Sequence, residues 1–439
     1  MTTTLLRGGR IIDATQSIDE TGDILIRDGV IAQIATTPIS ELDCEYIDCQ
    51  GCIVSAGLID IHVHFREPSN GRHEETTASG IASAVAGGFT TVCTMPNTTP
   101  AIDNPELVQT AIETAQRLGN CRVLPTACAT IGRHGETIAP IQAMVASGAI
   151  AITDDGDVVA DDAMMSDVLQ ACVKNNVPFM QHCQDPTTTV GGVMHEGKVQ
   201  QELGYGPWPR SAEESIISRD IQLNASIGAK WHAQHLSSGA SVDLIRKAKA
   251  NNQPISGEAS PHHLLLTDES CRSHGTMAKM NPPLREQSDI QLLKEGIADG
   301  TIQILATDHA PHPMHTKDTS FAEASFGIVG LDCALALYAK ALIEDGVLHW
   351  QQMLAMMTQH PAALINRPDL GSLREGARAD ITLIDPDYKW TIDANAFASN
   401  ALNCPFTGWD VTGRAIATLY GGVLNSHTDS DRFAHCNQG

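Results

Sequence analysis

The 439-residue sequence lacks any apolar run near the roughly 20 residues needed to cross a bilayer, although 42% of its residues are hydrophobic. It also lacks a positively charged start followed by a short apolar segment, which is the pattern of an export signal. These two absences predict a soluble protein that is not exported and has no membrane partner. We therefore expect it in the cytoplasm.

Basic residues are few. The sequence has 28 Lys and Arg against 52 Asp and Glu, a formal net charge of −24. Nucleic acids are bound through clustered Lys and Arg, so we expect no nucleic-acid partner. An anionic substrate would need a cation placed locally in its site.

The spacing of the cysteines does not indicate a disulfide framework or a zinc site. Twelve in so long a chain do not indicate a disulfide scaffold, and several, such as Cys93 and Cys128, lie in apolar runs. Cys49 and Cys52 have C-x-x-C spacing, but no second Cys or His pair follows at the distance of a zinc site. We expect reduced, mostly structural thiols.

Eight short apolar runs alternate with helical segments, the pattern of βα units around a parallel sheet. The runs are 57–63, 89–95, 121–129, 148–153, 177–182, 229–236, 253–259 and 301–307. The chain is long enough for a barrel of about 250 residues and a smaller second domain. The count predicts an α/β fold with a (β/α)8 TIM barrel.

Both ends of the chain show short β-type runs separated by turn signals, at 5–13 and 22–34 and again at 379–393 and 413–424. Asp28-Gly29 is typical of a hairpin turn, and nothing helical is predicted before residue 70. We predict a small discontinuous β-sandwich domain of residues 1–54 and 373–426, a catalytic barrel of residues 55–372 and a tail of residues 427–439. The stretch 183–212 is predicted to be a long loop.

Active sites of such barrels lie at the carboxyl ends of the strands. Five of the eight runs end in residue types that bind metals, namely His62 and His64, Asp154 and Asp155, His182, His235, and Asp308 and His309. Any one of them alone is as well explained by a buried histidine or a capping aspartate. Their joint placement is not, and four His with two Asp exceed the ligands of one tetrahedral ion. Two metals fit best, with Zn2+ favoured and Mn2+ or Co2+ as alternatives.

A two-metal site needs a bridging anion, because adjacent dications repel. An aspartate at the end of the fourth run can supply the carboxylate. Coordination lowers the pKa of bound water toward about 7 and makes hydroxide available as the nucleophile. Asp308 is placed to take its proton and pass it to a leaving nitrogen as general acid/base.

An ordered set of motifs resembles the amidohydrolase superfamily and, within it, the class I dihydroorotases, which interconvert dihydroorotate and N-carbamoyl-aspartate in pyrimidine synthesis. The motifs, which cover nearly the whole chain, are GLIDIHVHFREP (57–68), AGGFTTVCTMPNTTP (86–100), ITDDG (152–156), QHCQD (181–185), HLSS (235–238), PHHLLLTDE (261–269), KMNPPLR (279–285), ATDHAPH (306–312) and SFGIVG (325–330). The resemblance implies a metal-dependent cyclic amide hydrolase holding one or two Zn2+ ions.

The resemblance also implies roles for single residues. His62 and His64 would hold one metal and His182 and His235 the other. Asp155 would bridge them, with Asp154 as the alternative, and Asp308 would be both ligand and catalytic base. Hydantoinases and the other dihydroorotase class have a carboxylated lysine as the bridge, and residues 149–160 contain no lysine.

Substrate contacts are implied for His64, Arg66, Asn97, Asn281 and His312, and for the backbone of Phe326 and Gly327. Arg66 is expected on independent grounds, because it follows the histidine pair on the same face and a guanidinium can bind a carboxylate through two hydrogen bonds. Gln184 departs from the pattern, since similar enzymes have an acidic residue there. His262 and His263 are expected to support the site, and His232 to pack in the core.

Two other functions remain open. One is a hydantoinase or allantoinase of the same superfamily, against which the missing lysine and Arg66 both count. The other is an inactive dihydroorotase-like scaffold for aspartate transcarbamoylase, against which the full ligand set counts. A homodimer and an association of the active enzyme with a transcarbamoylase are both compatible with the resemblance.

Overall fold

The computed structural model describes residues 2–40, 44–69, 71 and 75–426, so the predicted tail at 427–439 lies outside the described residues. The protein is a mixed α/β protein. Within the described ranges, no helix combines the length and the hydropathy needed to cross a membrane.

The strands in the described part of the chain are β1 (Thr3–Asp13), β2 (Ile18–Arg27), β3 (Val30–Ala35), β4 (Glu45–Asp48), β5 (Ile53–Ala56), β6 (Leu58–Val63), β7 (Phe89–Thr94), β8 (Arg122–Pro125), β9 (Phe179–Gln181), β10 (Met194–His195), β11 (Pro207–Trp208), β12 (Trp231–Ala233), β13 (Ile255–Ala259), β14 (Ile304–Leu305), β15 (Ile381–Thr391), β16 (Asp410–Tyr420) and β17 (Val423–Ser426).

The α-helices of the same residues are α1 (Thr77–Ala86), α2 (Pro105–Leu118), α3 (Ile141–Ala146), α4 (Asp162–Asn175), α5 (Lys198–Leu203), α6 (Ser211–Ile227), α7 (Gly239–Ala250), α8 (Pro261–Leu265), α9 (Ser270–His274), α10 (Gln287–Ala298), α11 (Met314–Lys317), α12 (Ala334–Tyr338), α13 (Trp350–Met356) and α14 (Gln359–Leu364). A π-helical segment, Ala339–Glu344, follows α12 directly.

Parallel strand pairs connect the eight predicted runs. β6 pairs with β7 and β7 with β8, while β9 pairs with β12, β12 with β13 and β13 with β14. The fourth run forms single bridges instead of a strand, from Ile152 to Ala127 on one side and to Phe179 on the other. A bridge from His309 to Val63 returns the path to β6. We call this set of paired runs the strand ring.

Residues of the ring alternate between two apolar environments. Phe179 and Trp231 belong to a cluster that includes residues of the surrounding helices, whereas Met180, Ile59 and Ile61 belong to a different one. Strands covered on both faces are apolar on both faces, which explains why these runs are continuous rather than alternating in polarity. Because the strands are parallel, their carboxyl ends lie together at one end of the ring.

The two ends of the chain form one eight-stranded sheet, in the order β17-β16-β15-β5-β1-β2-β3 with β4 beside β1. β15 pairs antiparallel with β5 and so joins the C-terminal strands to the N-terminal ones. Asp28 and Gly29 connect β2 to β3, and both have positive φ, 49° and 78°. Two consecutive residues of this kind are what a tight type I′ hairpin requires.

The stretch 183–212 is more ordered than the predicted long loop. It contains β10 and β11, which pair in parallel, and the short helix α5. Met194 and Val199 pack in an apolar cluster with Leu266 and Phe321, which anchors the stretch to the rest of the protein. The loop prediction is wrong here, because two-residue strands leave no periodic pattern in a sequence.

Buried hydroxyl groups join the sheet to the strand ring. Thr382 of β15 donates from Oγ1 to the carbonyl of Gly88 at 2.6 Å and accepts from the backbone N–H of Leu58 at 3.3 Å. Thr418 of β16 donates to the carbonyl of Val85 at 2.9 Å. These bonds fix the sheet against the start of β6 and β7.

Replacing Thr382 by Val keeps the shape of the side chain and removes the hydroxyl. Gly88 then loses one buried donor, so we expect the free energy of unfolding to fall by about 1 to 3 kcal/mol in a urea titration. Thr37→Val, at an exposed position, is the control and should change it by less than about 0.5 kcal/mol. Equal values for the two variants would contradict the role given to Thr382.

Candidate metal centre and active site

The first histidine pair meets two carboxylates at the end of β6. His62 Nε2 lies 3.3 Å from Asp155 Oδ1 and 3.4 Å from Asp308 Oδ1. His64 Nε2 lies 3.0 Å from Asp308 Oδ1 and 3.5 Å from Asp155 Oδ2. All four side chains are buried. The alternation expected for an H-x-H pair in an extended strand therefore brings both imidazoles to one point.

The second histidine pair completes the cluster from β9 and β12. His182 Nδ1 and His235 Nε2 lie 2.8 Å apart, at 3.8 and 3.7 Å from Asp155 Oδ1. Asp155 thus lies between the two pairs, with one oxygen facing three of the four histidines. This is the position of a bridging carboxylate.

Asp154 is turned away from the cluster. Its oxygens accept from the backbone N–H groups of Ala129 and Thr130 at 2.8 and 3.1 Å and from the Thr130 hydroxyl at 2.5 Å. The structure therefore brings Asp155 and not Asp154 together with the histidines.

Three of the four histidines donate their outer N–H to an oxygen acceptor. The pairs are His62 Nδ1 to Glu258 Oε1 at 2.6 Å, His64 Nδ1 to Asn97 Oδ1 at 2.9 Å, and His182 Nε2 to Gln184 Oε1 at 2.9 Å. An outer nitrogen that carries the proton leaves the inner nitrogen with its lone pair directed into the cluster. That tautomer and orientation are those of metal-bound histidines.

Two inner atoms, His62 Nε2 and Asp155 Oδ1, are buried without a hydrogen-bond partner. Unpaired buried polar atoms are costly, and a metal ion would satisfy both. The cluster has six side chains, namely His62, His64, Asp155, His182, His235 and Asp308. They form three overlapping groups of three, and in each group the ligand atoms lie within 4.8 Å of one another. The donor set of imidazole nitrogens and carboxylate oxygens therefore fits divalent metal.

The electrostatics agree with a cation site. Burial lowers the pKa of His62, but Asp155, Asp308 and Glu258 outweigh it and hold that pKa well above its ordinary value. Burial raises the pKa of Asp155, but His62 and His235 outweigh it and hold that pKa well below its usual range. Asp155 thus stays ionised and offers an anionic donor to a cation.

A cavity of about 320 Å³ opens beside the cluster. This volume is at the small end of the range of about 300 to 1,000 Å³ found for small-molecule sites. The predicted substrate contacts His64, Arg66, Asn97, Asn281, His312 and Phe326 all line it. Gly327 follows Phe326, and a Cβ on it would lie 2.7 Å from the carbonyl oxygen of Ala310.

Arg66 supplies a cation at this cavity. Its Nη2 donates to His312 Nε2 and its Nε to the carbonyl of Pro311, both at 3.3 Å. Burial lowers the pKa of Arg66 to about 10, which leaves the guanidinium charged at neutral pH. An acidic protein therefore presents a fixed positive charge where an anionic ligand would enter.

The two predicted asparagines have different surroundings. Asn97 bonds to two side chains of the histidine and aspartate cluster. Its Oδ1 accepts from His64 Nδ1, and its Nδ2 donates to Asp155 Oδ2 at 3.2 Å. Asn281 Nδ2 donates to Gln184 Oε1 at 3.0 Å, and its Oδ1 is buried without a partner at the cavity wall. Asn97 therefore fixes the orientation of His64 and Asp155, while Asn281 has an acceptor left for a bound molecule.

Sequence reasoning missed Glu258. Besides His62 it accepts from His232 Nε2 at 3.0 Å and from the backbone N–H of His235 at 3.1 Å. His232 therefore belongs to a polar network, whereas we expected it to pack in the core. The available signal was a glutamate inside an apolar run, because a buried charge requires partners.

Arg133 was also missed, and its sequence context offers no signal. It lines the cavity and donates from Nη1 to the carbonyl of Asp155 at 2.6 Å. This bond holds the backbone of Asp155.

Four further histidines near the site, at 262, 263, 309 and 315, have side chains outside the cluster. His263 Nε2 bonds to the carbonyl of Pro282 at 3.0 Å, and His262 is buried with an unpaired Nε2. His309 Nδ1 accepts from the N–H groups of residues 330 and 331, and His315 is exposed. His309, at the end of the eighth run, is thus not brought to the metal ligands.

One further group, His195 with Asp268 and Glu286, has metal-ligand spacing among the described residues. His195 Nδ1 faces Arg285 Nη1 at 3.2 Å and must accept from it. The proton is then on Nε2, the atom that faces the carboxylates, so the group is not arranged to bind metal. Cys49 and Cys52 are buried and belong to no such group.

Comparisons with known proteins agree with this site. Residues 51–241 match the family model described as dihydro-orotase-like, and residues 276–422 match that of the amidohydrolase family. The chain is 41% identical to a dihydroorotase of Syntrophotalea carbinolica, over 96% of this chain and 98% of that protein. It is 40% identical to a dihydroorotase of Geobacter metallireducens over the same shares.

Solved structures show the same fold at lower identity. An L-hydantoinase from Arthrobacter aurescens superposes with a TM-score of 0.88 at 23% identity, covering 98% of this chain and 97% of that one. A dihydropyrimidinase from Brevibacillus agri superposes with a TM-score of 0.83 at 20% identity, covering 96% and 95%.

Glu258→Gln should weaken metal binding by about 10- to 100-fold, because it removes the charge that orients His62 and raises its basicity. The measurement is competition for the metal between the apo-protein and a chelator of known affinity. Glu295→Gln, at an exposed position of α10, is the matched control and should bind as the wild type does. Unchanged affinity in Glu258→Gln would show that the hydrogen bond does not support the centre.

Proposed function

The chain belongs to the dihydroorotase family of the amidohydrolases, and we propose that it catalyses the reversible hydrolysis of the cyclic amide of dihydroorotate to N-carbamoyl-aspartate in pyrimidine synthesis. The resemblance seen in the motifs is confirmed by the full-length identity to dihydroorotases. The observation that carries the proposal is the pairing of an aspartate bridge, Asp155, with a cation, Arg66, at the same cavity.

We propose that residues 55–372 form a (β/α)8 TIM barrel and that residues 1–54 and 373–426 form the small β-sandwich domain. The parallel pairs that lead from β6 around to His309 and back support the first. The sheet built from both chain ends supports the second.

For the metal we propose Zn2+, in one or two ions. His62, His64 and Asp308 would hold one, His182 and His235 the other, and Asp155 would lie between them. When bound, the metal supplies a water whose pKa is lowered toward about 7 and polarises the scissile carbonyl. The mixed imidazole and carboxylate donors support zinc over magnesium or calcium, which prefer oxygen ligands.

Asp308 is the proposed general acid/base. Its Oδ1 lies 3.0 Å from His64 Nε2, at the floor of the cavity. Burial raises the pKa of Asp308, but His62 and His64 outweigh it and hold that pKa well below its usual range. The carboxylate is therefore ionised and ready to accept the proton of the attacking water, which it then delivers to the leaving amide nitrogen.

Arg66 is proposed to bind the substrate carboxylate. Its bond to His312 fixes the guanidinium at the cavity wall, so that the ring amide points toward Asp308. Asn281 offers its unpaired carbonyl oxygen to a ring N–H. The cavity has room for a small ring beside Asp308.

The hydantoinase and allantoinase alternatives lack support beyond a shared fold, because the solved relatives are below 25% identical. The inactive scaffold is disfavoured by the complete ligand set. A homodimer, an association with aspartate transcarbamoylase and a cytoplasmic location stay predictions.

Metal-reconstituted protein should hydrolyse dihydroorotate, and chelated protein should not, in an assay that follows loss of the ring absorbance. Hydantoin and allantoin, which offer a cyclic amide without this ring carboxylate, are the comparison substrates. Absence of dihydroorotate turnover in the metal-loaded protein would refute the proposal. Preferential turnover of hydantoin would redirect it to the alternative.

Asp308→Asn should lower kcat by about 100- to 10,000-fold, since the amide cannot accept the proton. Metal content and circular dichroism, measured on the same sample, separate loss of the base from loss of the centre. Asp387→Asn, at an exposed position of β15, is the control and should retain wild-type kcat. Substantial turnover by Asp308→Asn with metal bound would remove Asp308 as the base.

A further inference from the structure

Lys317 is a buried lysine whose ammonium is surrounded by backbone carbonyls. It ends α11, and its Nζ donates to the carbonyls of Lys279 at 3.2 Å, Ser325 at 2.8 Å and Gly327 at 2.9 Å. An ammonium has three hydrogens, so all are used. Its charge has no carboxylate partner among the ion pairs of the described ranges. Three carbonyl dipoles therefore take the place of a counter-ion.

The protonation state of Lys317 follows from this geometry. Burial lowers its pKa to about 7, helped by the nearby charge of Lys279. Three convergent carbonyl oxygens favour the ammonium, because a neutral amine has two hydrogens and would leave one buried carbonyl unpaired. The charged form is the one that satisfies every acceptor.

Lys279 donates hydrogen bonds to the same loop that Lys317 contacts. Its Nζ donates to the carbonyls of Ala322 at 3.0 Å and Ala324 at 2.7 Å and lies 4.2 Å from the centroid of the Phe326 ring. Its own carbonyl accepts from Lys317 Nζ and from the N–H of Gly327 at 3.0 Å. The loop that precedes Asn281 is thus bonded to the loop that carries Phe326.

Asn403 joins a third loop from the C-terminal segment before β16. Its Nδ2 donates to the carbonyls of Ala310 and Gly327, both at 3.0 Å, and its Oδ1 accepts from the N–H of His312 at 3.1 Å. Asn403 is fully buried. The backbone around His312 is therefore held at a fixed distance from Gly327.

We propose that Lys279, Lys317 and Asn403, which we call the loop clamp, are positioning residues that hold the substrate-contacting loops in register with the metal centre. None of the three lines the cavity, whereas the residues they fix, Asn281, His312 and Phe326, all do. The metal ligands belong to the strand ring and touch no member of the clamp in the hydrogen bonds described above. This proposal rests on the proposed function. In it, the loop clamp affects the affinity for substrate and not the rate of the chemical step.

Lys317→Met keeps the length of the side chain and removes the ammonium. We expect KM for dihydroorotate to rise at least about tenfold while kcat stays within about threefold, since displaced binding groups weaken the binding of substrate and transition state alike and Asp308 is not moved. Lys230→Met is the matched control. Lys230 also donates to a backbone carbonyl, that of Ala363, but it lies just before β12, at the amino end of the strand ring. Its KM should equal the wild type.

A double-mutant cycle tests whether Lys279 and Lys317 are energetically coupled. Lys279→Met and Lys317→Met free the same pair of loops, so their combined rise in KM should be clearly smaller than the product of the single rises. Lys317→Met with Lys230→Met should give the simple product. Multiplicative behaviour of the clamp pair, or a loss of kcat at unchanged KM, would overturn the proposal.

Asn403→Ala carries the test if Lys317→Met does not fold. It should raise KM in the same way and accelerate hydrogen exchange in peptides covering 325–329, while peptides covering 179–182 exchange as before. Hydrogen exchange can be measured without turnover, so it tests the loop clamp independently of the proposed dihydroorotase activity. If the wild type fails to hydrolyse dihydroorotate, the proposed function fails, and wild-type exchange at 325–329 in Asn403→Ala would overturn the clamp by itself.

Discussion

The hydrogen bond between His62 Nδ1 and Glu258 Oε1 is the interaction on which the candidate metal centre depends. It makes Nδ1 the donor to Glu258 and turns Nε2 toward Asp155 and Asp308. Burial opposes the charge of Glu258, but His62 and His232 outweigh it and lower its pKa to about 2. Because Glu258 also accepts from the backbone of His235, one buried carboxylate links both histidine pairs.

Rigid and adjustable parts of the site are separated. His62, His182 and His235 lie within two residues of the ends of paired strands, where hydrogen bonds to neighbouring strands hold the backbone in place. The proposed substrate contacts Asn281, His312 and Phe326 lie on loops outside the strands. Buried side chains hold these loops in place instead. The ammonium of Lys317 and the amide of Asn403 donate to loop carbonyls that would otherwise be buried without a partner.

Side chains of the site, rather than the fold, carry the proposed choice of substrate. Hydantoinases superpose on it closely at low identity, so the fold alone does not select the substrate. Residues 149–160 provide Asp155 and no lysine. Arg66 beside Asp155 adds the charge that an anionic ring requires.

Sequence by itself determined the eight runs and their order, because burial on both faces leaves continuous apolar segments that local patterning detects. It also predicted His62, His64, His182, His235 and Asp308 as candidate ligands, since each lies within one residue of the end of such a run. Only the tertiary structure turned Asp154 away, revealed Glu258 as a partner of His62 and brought Lys317 to the carbonyls of Lys279 and Gly327. Those partners lie up to 196 residues apart. Packing decides such pairs, and no local pattern records them.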